Sequence, residues 1–455
     1  MSGHEKFNFR TLEDIQEKVN QLGVNIKFSE NLELMHKPVW INGHKAENSI
    51  AVLPMEGCDS NQDGSPSELV KRRYLRFSEG GAGLVWWEAN AVVQEGRANP
   101  NQMMITEKNL ESFRKLIEEC NQSAIARNGY KPLHILQLTH SGRYARPVGH
   151  APAPRVPQRD PILDPISGVT SDAAVVSDTY LESLVPKYAK AALLAKEAGF
   201  DGVDIKACHR YLLSELLASH TREGKYGGSF ENRSRLIVEI VRAVRQAVGE
   251  DYIIASRFNV FDAHPYPYGF GCDREDLWKF DPTEPMELVK LLCKEGVNLL
   301  SNSAGNPYYI YPQVTRPFDL SSRGIPVPDE HPLTSVARLF EFTRQIQKAA
   351  GDVPVIGNGY TWLRQFAPFA GAANLLDGSC RMMGLGRSSI AYPDGPRDIL
   401  LNGKLRPEQC CITCSKCTQI MRDHGHTGCV VRDSQWYLPL YREAAQEAAI
   451  RENRN

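Results

Sequence analysis

Eight short apolar runs recur along the chain, separated by longer stretches with helical spacing of apolar positions. The runs are Ser49–Pro54, Ala82–Trp87, Pro132–Leu138, Gly202–Ile205, Tyr252–Ser256, Val297–Ser301, Val353–Ile356 and Cys380–Leu385. They do not alternate apolar with polar residues, so they predict strands buried on both faces, hence a parallel sheet. Helices are predicted over Glu107–Cys120 (Thr106 as N-cap), Asp178–Ala198 (ending at Gly199), Asn232–Val248, Pro285–Lys294 and Pro332–Ala349. Eight strands alternating with helices predict an α/β fold, a (β/α)8 TIM barrel. A doubly wound sheet would place G-x-G-x-x-G after a strand, and the chain has none at such a point.

The barrel prediction says where to look for chemistry. Phosphate-binding glycines belong after strands seven and eight. Those strands end in Ile356-Gly357-Asn358-Gly359 and Gly384-Leu385-Gly386-Arg387. Glycine lets backbone N–H groups come close to a phosphate, and arginine adds a forked donor. Strand four runs into Lys206, His209, Arg210 and Tyr211, at the end where barrels place catalytic groups. A His with a Lys can hold an oxygen that gains negative charge, and a Tyr can donate a proton. The segment Asn302–Pro332, which includes Asn306-Pro307-Tyr308-Tyr309-Ile310-Tyr311, is a candidate lid or a solvated excursion.

Composition narrows the setting. The 455 residues are 42% hydrophobic with a net charge of -1, which gives no electrostatic case for nucleic acid or an anionic membrane. No apolar window is long enough to span a bilayer, and Met1–Lys18 lacks the apolar core of a signal peptide. Eleven cysteines, six of them scattered, fit a reducing cytoplasm. The other five are Cys410, Cys411, Cys414, Cys417 and Cys429; from Cys411 the spacing is C-x2-C-x2-C-x11-C. Three thiols on one tight loop and a distal fourth suit an iron–sulfur cluster, with structural zinc as the alternative.

His209-Arg210-Tyr211-Leu212-Leu213 and Tyr226-Gly227-Gly228-Ser229-Phe230-Glu231-Asn232-Arg233-Ser234-Arg235 resemble the signature of the old yellow enzyme family of FMN-dependent barrels. Leu53-Pro54-Met55, Gly81–Leu84 with Glu88-Ala89, Leu136–Arg143, and Gly386-Arg387 with Pro393-Asp394 agree, in order, over roughly residues 35 to 405. The cysteine segment resembles the iron–sulfur branch of that family, which includes 2,4-dienoyl-CoA reductase and trimethylamine dehydrogenase. By that resemblance Cys411, Cys414, Cys417 and Cys429 ligate a [4Fe–4S] cluster. The same resemblance implies that Pro54, Met55, Ala89 and Gln137 touch the flavin ring of FMN, that Arg257 lies near its N1, and that Gly359, Gly386 and Arg387 hold the phosphate. It also implies Tyr211 as the proton donor and His209 as one half of the pair that binds the substrate oxygen, with Lys206 expected to assist it.

There are departures. Many reductases of the family have His at the position of Lys206 and Gly at that of Arg210, so the pocket is expected to favour an anionic substrate. Glu56 or Cys58 falls where some members place a redox-tuning Cys. Only 26 residues follow Cys429, where iron–sulfur relatives continue into nucleotide-binding regions. Residues 1–405 are read as the barrel, and residues 406–455 as an iron–sulfur segment with a solvent-facing helical tail from Tyr437. The expected activity is reduction of a C=C bond conjugated to a carbonyl or carboxyl. The alternatives are an amine or C–H dehydrogenase, or a non-catalytic electron-transfer subunit. The electron donor is expected to be NAD(P)H or an external carrier, with homo-oligomerisation left open.

Overall fold

A computed structural model describes residues 3–308 and 312–452. Its centre is a closed barrel of eight parallel strands: β3 (Ile50–Val52), β4 (Leu84–Ala91), β5 (Leu133–Thr139), β6 (Gly202–Ile205), β7 (Ile253–Phe261), β8 (Leu299–Ala304), β9 (Val355–Gly357) and β10 (Met382–Leu385), with β10 pairing β3. Almost every strand residue is buried, because the barrel interior takes one face and helices cover the other. All eight predicted runs are strands, and Gly202–Ile205 matches to the residue. A hairpin, β1 (Val39–Ile41) with β2 (His44–Ala46), precedes β3. Its Ile41 and Ala46 join Leu84, Leu133, Ile253 and Leu299 in one cluster, so the hairpin plugs the N-terminal end.

Helix Asp178–Ala198 ends as predicted at Gly199, whose φ of 97° suits a residue without Cβ. The helix predicted over Glu107–Cys120 instead spans Leu110–Asn128. Thr106 is not its cap: the Thr106 N–H donates to Asn109 Oδ1 (2.8 Å), and Asn109 occupies the N-cap position. Buried Ala124 continues the stripe of Phe113, Leu116, Ile117 and Cys120, which carries the helix past the predicted turn. Helix Phe230–Val248 starts two residues earlier than predicted, because Ser229 Oγ caps Asn232 N. Helix Glu68–Glu79 was not predicted; it buries Val70, Tyr74 and Phe77 between charged residues.

The C-terminal stretch packs back on the mouth of the barrel. The Thr427 N–H donates to the Gly57 carbonyl (2.7 Å), and Asp433 takes Arg72 and Arg76, both at 2.7 Å. The final helix, Ser434–Glu452, is not wholly solvent-facing: Tyr437, Ala444 and Ala448 are buried. Tyr309, Ile310 and Tyr311 of the predicted lid, and Asn453–Asn455 of the tail, lie outside the described residues. Among the described residues no helix is long and apolar enough to cross a membrane.

Candidate active site

A cavity of about 170 Å³ opens at the C-terminal ends of the strands. Pro54, Met55, Gln137, Lys206, His209, Arg257, Gly359, Gly386 and Arg387 all line it. Distant stretches of sequence thus converge on the end of the barrel where strand-end side chains meet. Ala89 and Tyr211 do not line it. Ala89 is fully buried on β4 in register with Gln137, just after a bulge between Trp86 and Ala89.

Tyr211 sits one layer behind the wall. Its hydroxyl donates to Glu56 Oε1 (3.1 Å) and lies 2.7 Å from the hydroxyl of Tyr308, which does line the cavity. Burial and the Glu56 charge push the Tyr211 phenol well above its ordinary range, so it keeps its proton. Lys206 Nζ stands 3.3 Å from Glu56 Oε1 and 4.0 Å from the centre of the Tyr211 ring. One carboxylate therefore holds both a cation and a phenol.

His209 and Arg210 both adopt left-handed backbone, with φ of 66° and 59°. That conformation is costly for residues with a Cβ, and its support is visible. Asn259 Oδ1 accepts the His209 N–H (3.1 Å), and Ser303 Oγ lies 2.9 Å from His209 Nε2. Burial, then Arg257 and Lys206, drives the His209 pKa well below 6.5, so the ring is neutral. Arg210 does not face the cavity beside Lys206. It turns into a buried acidic nest of Asp262 (2.8 Å), Asp160 (3.3 Å) and Glu215 (3.5 Å). The Lys206–Arg210 cationic pair expected from sequence does not form, because each cation has its own carboxylates.

Glu56, not Cys58, lines the cavity; Cys58 accepts a hydrogen bond from Asn99 Nδ2 (3.3 Å). Gln137 Nε2 donates to Asp204 Oδ2 (2.6 Å), which also takes Trp86 Nε1 (3.0 Å). Burial nevertheless lifts Asp204 to about 7. Behind the 57–59 turn, Arg73 bridges Asp59 (2.6 Å) and Glu88 (2.7 Å), and burial raises Glu88 to about 7. Neither this cluster nor the roles of Glu56 and Tyr308 follow from the sequence; all depend on chain segments that meet only in the fold.

The cavity suits a flavin mononucleotide. Among the described residues it offers arginine nitrogens without protein partners: Arg257 Nε, Arg316 Nε and Arg387 Nη1. A Cβ on Gly384 would come within 2.3 Å of the Gly357 carbonyl oxygen, so that wall admits only glycine.

Cys411, Cys414, Cys417 and Cys429 line a second, smaller cavity, and none is in a disulfide. Backbone N–H groups of Thr413 and Arg432 point at the sulfurs of Cys411 (3.4 Å) and Cys429 (3.2 Å), and Arg387 and Arg432 add positive charge. This donor set fits bound anionic sulfur. Among the described residues no three His, Cys, Asp or Glu side chains close around a single metal ion. Cys417 and Arg387 belong to both cavities.

A model of the NADH:flavin oxidoreductase / NADH oxidase family matches residues 34–266, just over half of the chain. The chain is 28% identical over 373 residues to NADH oxidase of Thermoanaerobacter brockii, covering 81% of this chain and 50% of that protein. It is 26% identical over 422 residues to cinnamate reductase of Clostridium sporogenes, covering 88% of this chain and 58% of that protein. Among solved structures, a 2-naphthoyl-CoA reductase in complex with 2-naphthoyl-CoA shares the fold with a TM-score of 0.68 at 23% identity, covering 88% of this chain and 57% of that one. The chain thus spans between half and three-fifths of the length of these relatives.

Proposed function

We propose an ene-reductase reaction for this chain, which belongs to the NADH:flavin oxidoreductase / NADH oxidase family and is a flavin-dependent oxidoreductase. The substrate would carry a C=C bond conjugated to a carbonyl or carboxyl. The observation that carries the reading is one neutral imidazole, His209, sharing the cavity with Lys206, with the Tyr211 phenol, which keeps its proton, directly behind. Similarity to a cinnamate reductase supports it.

Pro54, Met55 and Gln137 would hold the ring of FMN, with Ala89 behind them. Arg257 would lie near its N1, and Gly359, Gly386 and Arg387 would take its phosphate. Bound FMN supplies hydride chemistry. His209 and Lys206 are placed to hold the substrate oxygen as it gains charge, an effect worth about 3 to 4 kcal/mol per donor in known sites. The proton for the α-carbon would pass from the Tyr211 hydroxyl through that of Tyr308, 2.7 Å away and lining the cavity, with Glu56 fixing Tyr211 in place. Cys411, Cys414, Cys417 and Cys429 would hold an iron–sulfur cluster, which supplies single-electron transfer where present.

A second reading, oxidation of an amine, draws on Glu56 among Tyr144, Tyr211 and Tyr308, whose rings stack with Tyr144–Tyr308 centroids 4.2 Å apart. It is the weaker reading, because Glu56 already holds Lys206 and Tyr211. The test is stopped-flow on protein purified anaerobically. NADH, NADPH and a reduced ferredoxin are offered in parallel, and the reduced enzyme is then mixed with an enoate or an enone. Reoxidation by the alkene, with saturated product, is expected. Reduction of the flavin by an amine, with no reoxidation by any alkene, would reverse the assignment.

A further inference from the structure

Five charged side chains line the large cavity: Glu56, Lys206, Arg257, Arg316 and Arg387. Glu56 and Lys206 pair with each other. Arg257 Nη1 reaches the Pro54 carbonyl (3.4 Å), and Arg387 Nη2 the Pro317 carbonyl (2.5 Å). Arg316 makes no hydrogen bond and no ion pair among the described residues, and its Nε is wholly buried. A guanidinium taken out of water without an anion is unfavourable. Burial and then the like charge of Arg387 both lower the Arg316 pKa, with Cys417 acting against them.

The two arginines are brought side by side by the backbone, since Arg387 grips the carbonyl of the residue that follows Arg316. Both line the large cavity, and Arg387 directly follows Gly386 in the chain. Two adjacent guanidiniums call for a ligand group of about two negative charges, which a phosphate monoester carries and a carboxylate does not.

We propose that Arg316 and Arg387 form a two-arginine clamp on the phosphate monoester of FMN, which makes Arg316 a cofactor-binding residue. The proposal rests on the reading of Gly359, Gly386 and Arg387 as the phosphate end. Arg387 reaches the phosphate from the start of the helix after β10, and Arg316 from the long segment after β8. That segment is itself tied to the cysteine loop, where the Asp319 N–H donates to the Thr413 carbonyl (3.1 Å).

Riboflavin, which lacks only the phosphate, isolates the effect. Apoprotein is titrated with FMN and with riboflavin by quenching of flavin fluorescence. The proteins are wild type, Arg316→Gln, Arg316→Lys and Arg387→Gln. In Arg316→Gln the preference for FMN over riboflavin should fall by about 10- to 100-fold, the range for lost charged hydrogen bonds, with riboflavin affinity unchanged. Arg316→Lys should fall between Arg316→Gln and wild type. Apo Arg316→Gln should melt no lower than wild type, because an uncompensated cation is gone. An unchanged preference in both Arg316 variants, with a loss in Arg387→Gln, would overturn the clamp and leave the phosphate end standing. Unchanged preference in all three variants would remove the phosphate end as well.

Discussion

The large cavity draws its wall from the ends of β3, β5, β6, β7, β8, β9 and β10 and from the cysteine segment, whereas the thiol cavity takes all of its lining but Arg387 and Ile390 from residues 411–432. One site is assembled across the whole chain; the other is a local loop pressed against it. The difference teaches where damage stays local. Damage within the thiol loop should therefore leave the barrel folded. A change in the barrel mouth spreads, because Glu56, Lys206, Tyr211 and Tyr308 hold one another.

The sharpest separation comes from Cys414→Ser. Anaerobic wild-type protein should contain about four irons per FMN, and the variant should lose its iron while FMN and the barrel remain. Elemental analysis and far-UV circular dichroism check this; stoichiometric zinc without iron would break the iron–sulfur side of the comparison. Next in size is Tyr211→Phe. Flavin reduction by the donor should be nearly intact, and reoxidation by an alkene should slow by about 10²- to 10⁴-fold. A variant that reoxidises as fast as wild type would show that Tyr211, one layer behind the cavity wall, does not supply the proton.

Arg210→Ala probes the barrel mouth without touching the cavity. Removal of the cation leaves Asp160, Asp262 and Glu215 buried without it, which should cost about 3–5 kcal/mol in urea unfolding. Glycine at that position relieves the left-handed backbone but leaves the same carboxylates, so Arg210→Gly should recover only about 1 kcal/mol of the loss. Equal stability of wild type and Arg210→Ala would show that the acidic nest does not depend on the arginine.

A smaller effect comes from pH. Asp204 is raised in the folded protein to about 7, above its unfolded value, so the folded state binds the extra proton. Its contribution is therefore fully present below about pH 4 and is lost as pH rises through 7. Asp204→Asn should flatten that part of the melting-temperature profile between pH 5 and 8; an unaltered slope would assign it to another group, such as Glu88. The smallest effect is reserved for Cys58→Ser, which should leave flavin spectrum and turnover unchanged, while Glu56→Gln slows turnover. The reverse pattern would put the sulfur, not the carboxylate, on the cavity.

Much of the barrel was legible because a parallel strand buried on both faces leaves an unbroken apolar run, and because the strand ends are where barrels keep their polar groups. Nine of the eleven catalytic and cofactor positions named from sequence line one cavity, although Pro54, Met55, Gln137 and Arg257 among them came from the family resemblance and not from the strand pattern. Helix Glu68–Glu79 was harder to see, since its three core residues stand among Lys71, Arg72, Arg73 and Arg76. The start of the Leu110–Asn128 helix was misread because Thr106 and Asn109 are both good capping types, and only the hydrogen bond between them tells which one stops the chain.

By itself, then, the sequence determined the eightfold alternation, the order of the strand-end motifs and the clustering of four cysteines, all of which rest on near neighbours or on a repeated period. Tertiary structure alone decided the partners of the charges. It sent Arg210 to Asp262 and Lys206 to Glu56, put Tyr308 in front of Tyr211, and left Arg316 facing the cavity with no carboxylate partner among the described residues. Charge pairing acts over a few ångströms of space. Partners such as Glu56 and Lys206 stand 150 residues apart in the chain, and no local pattern records that distance.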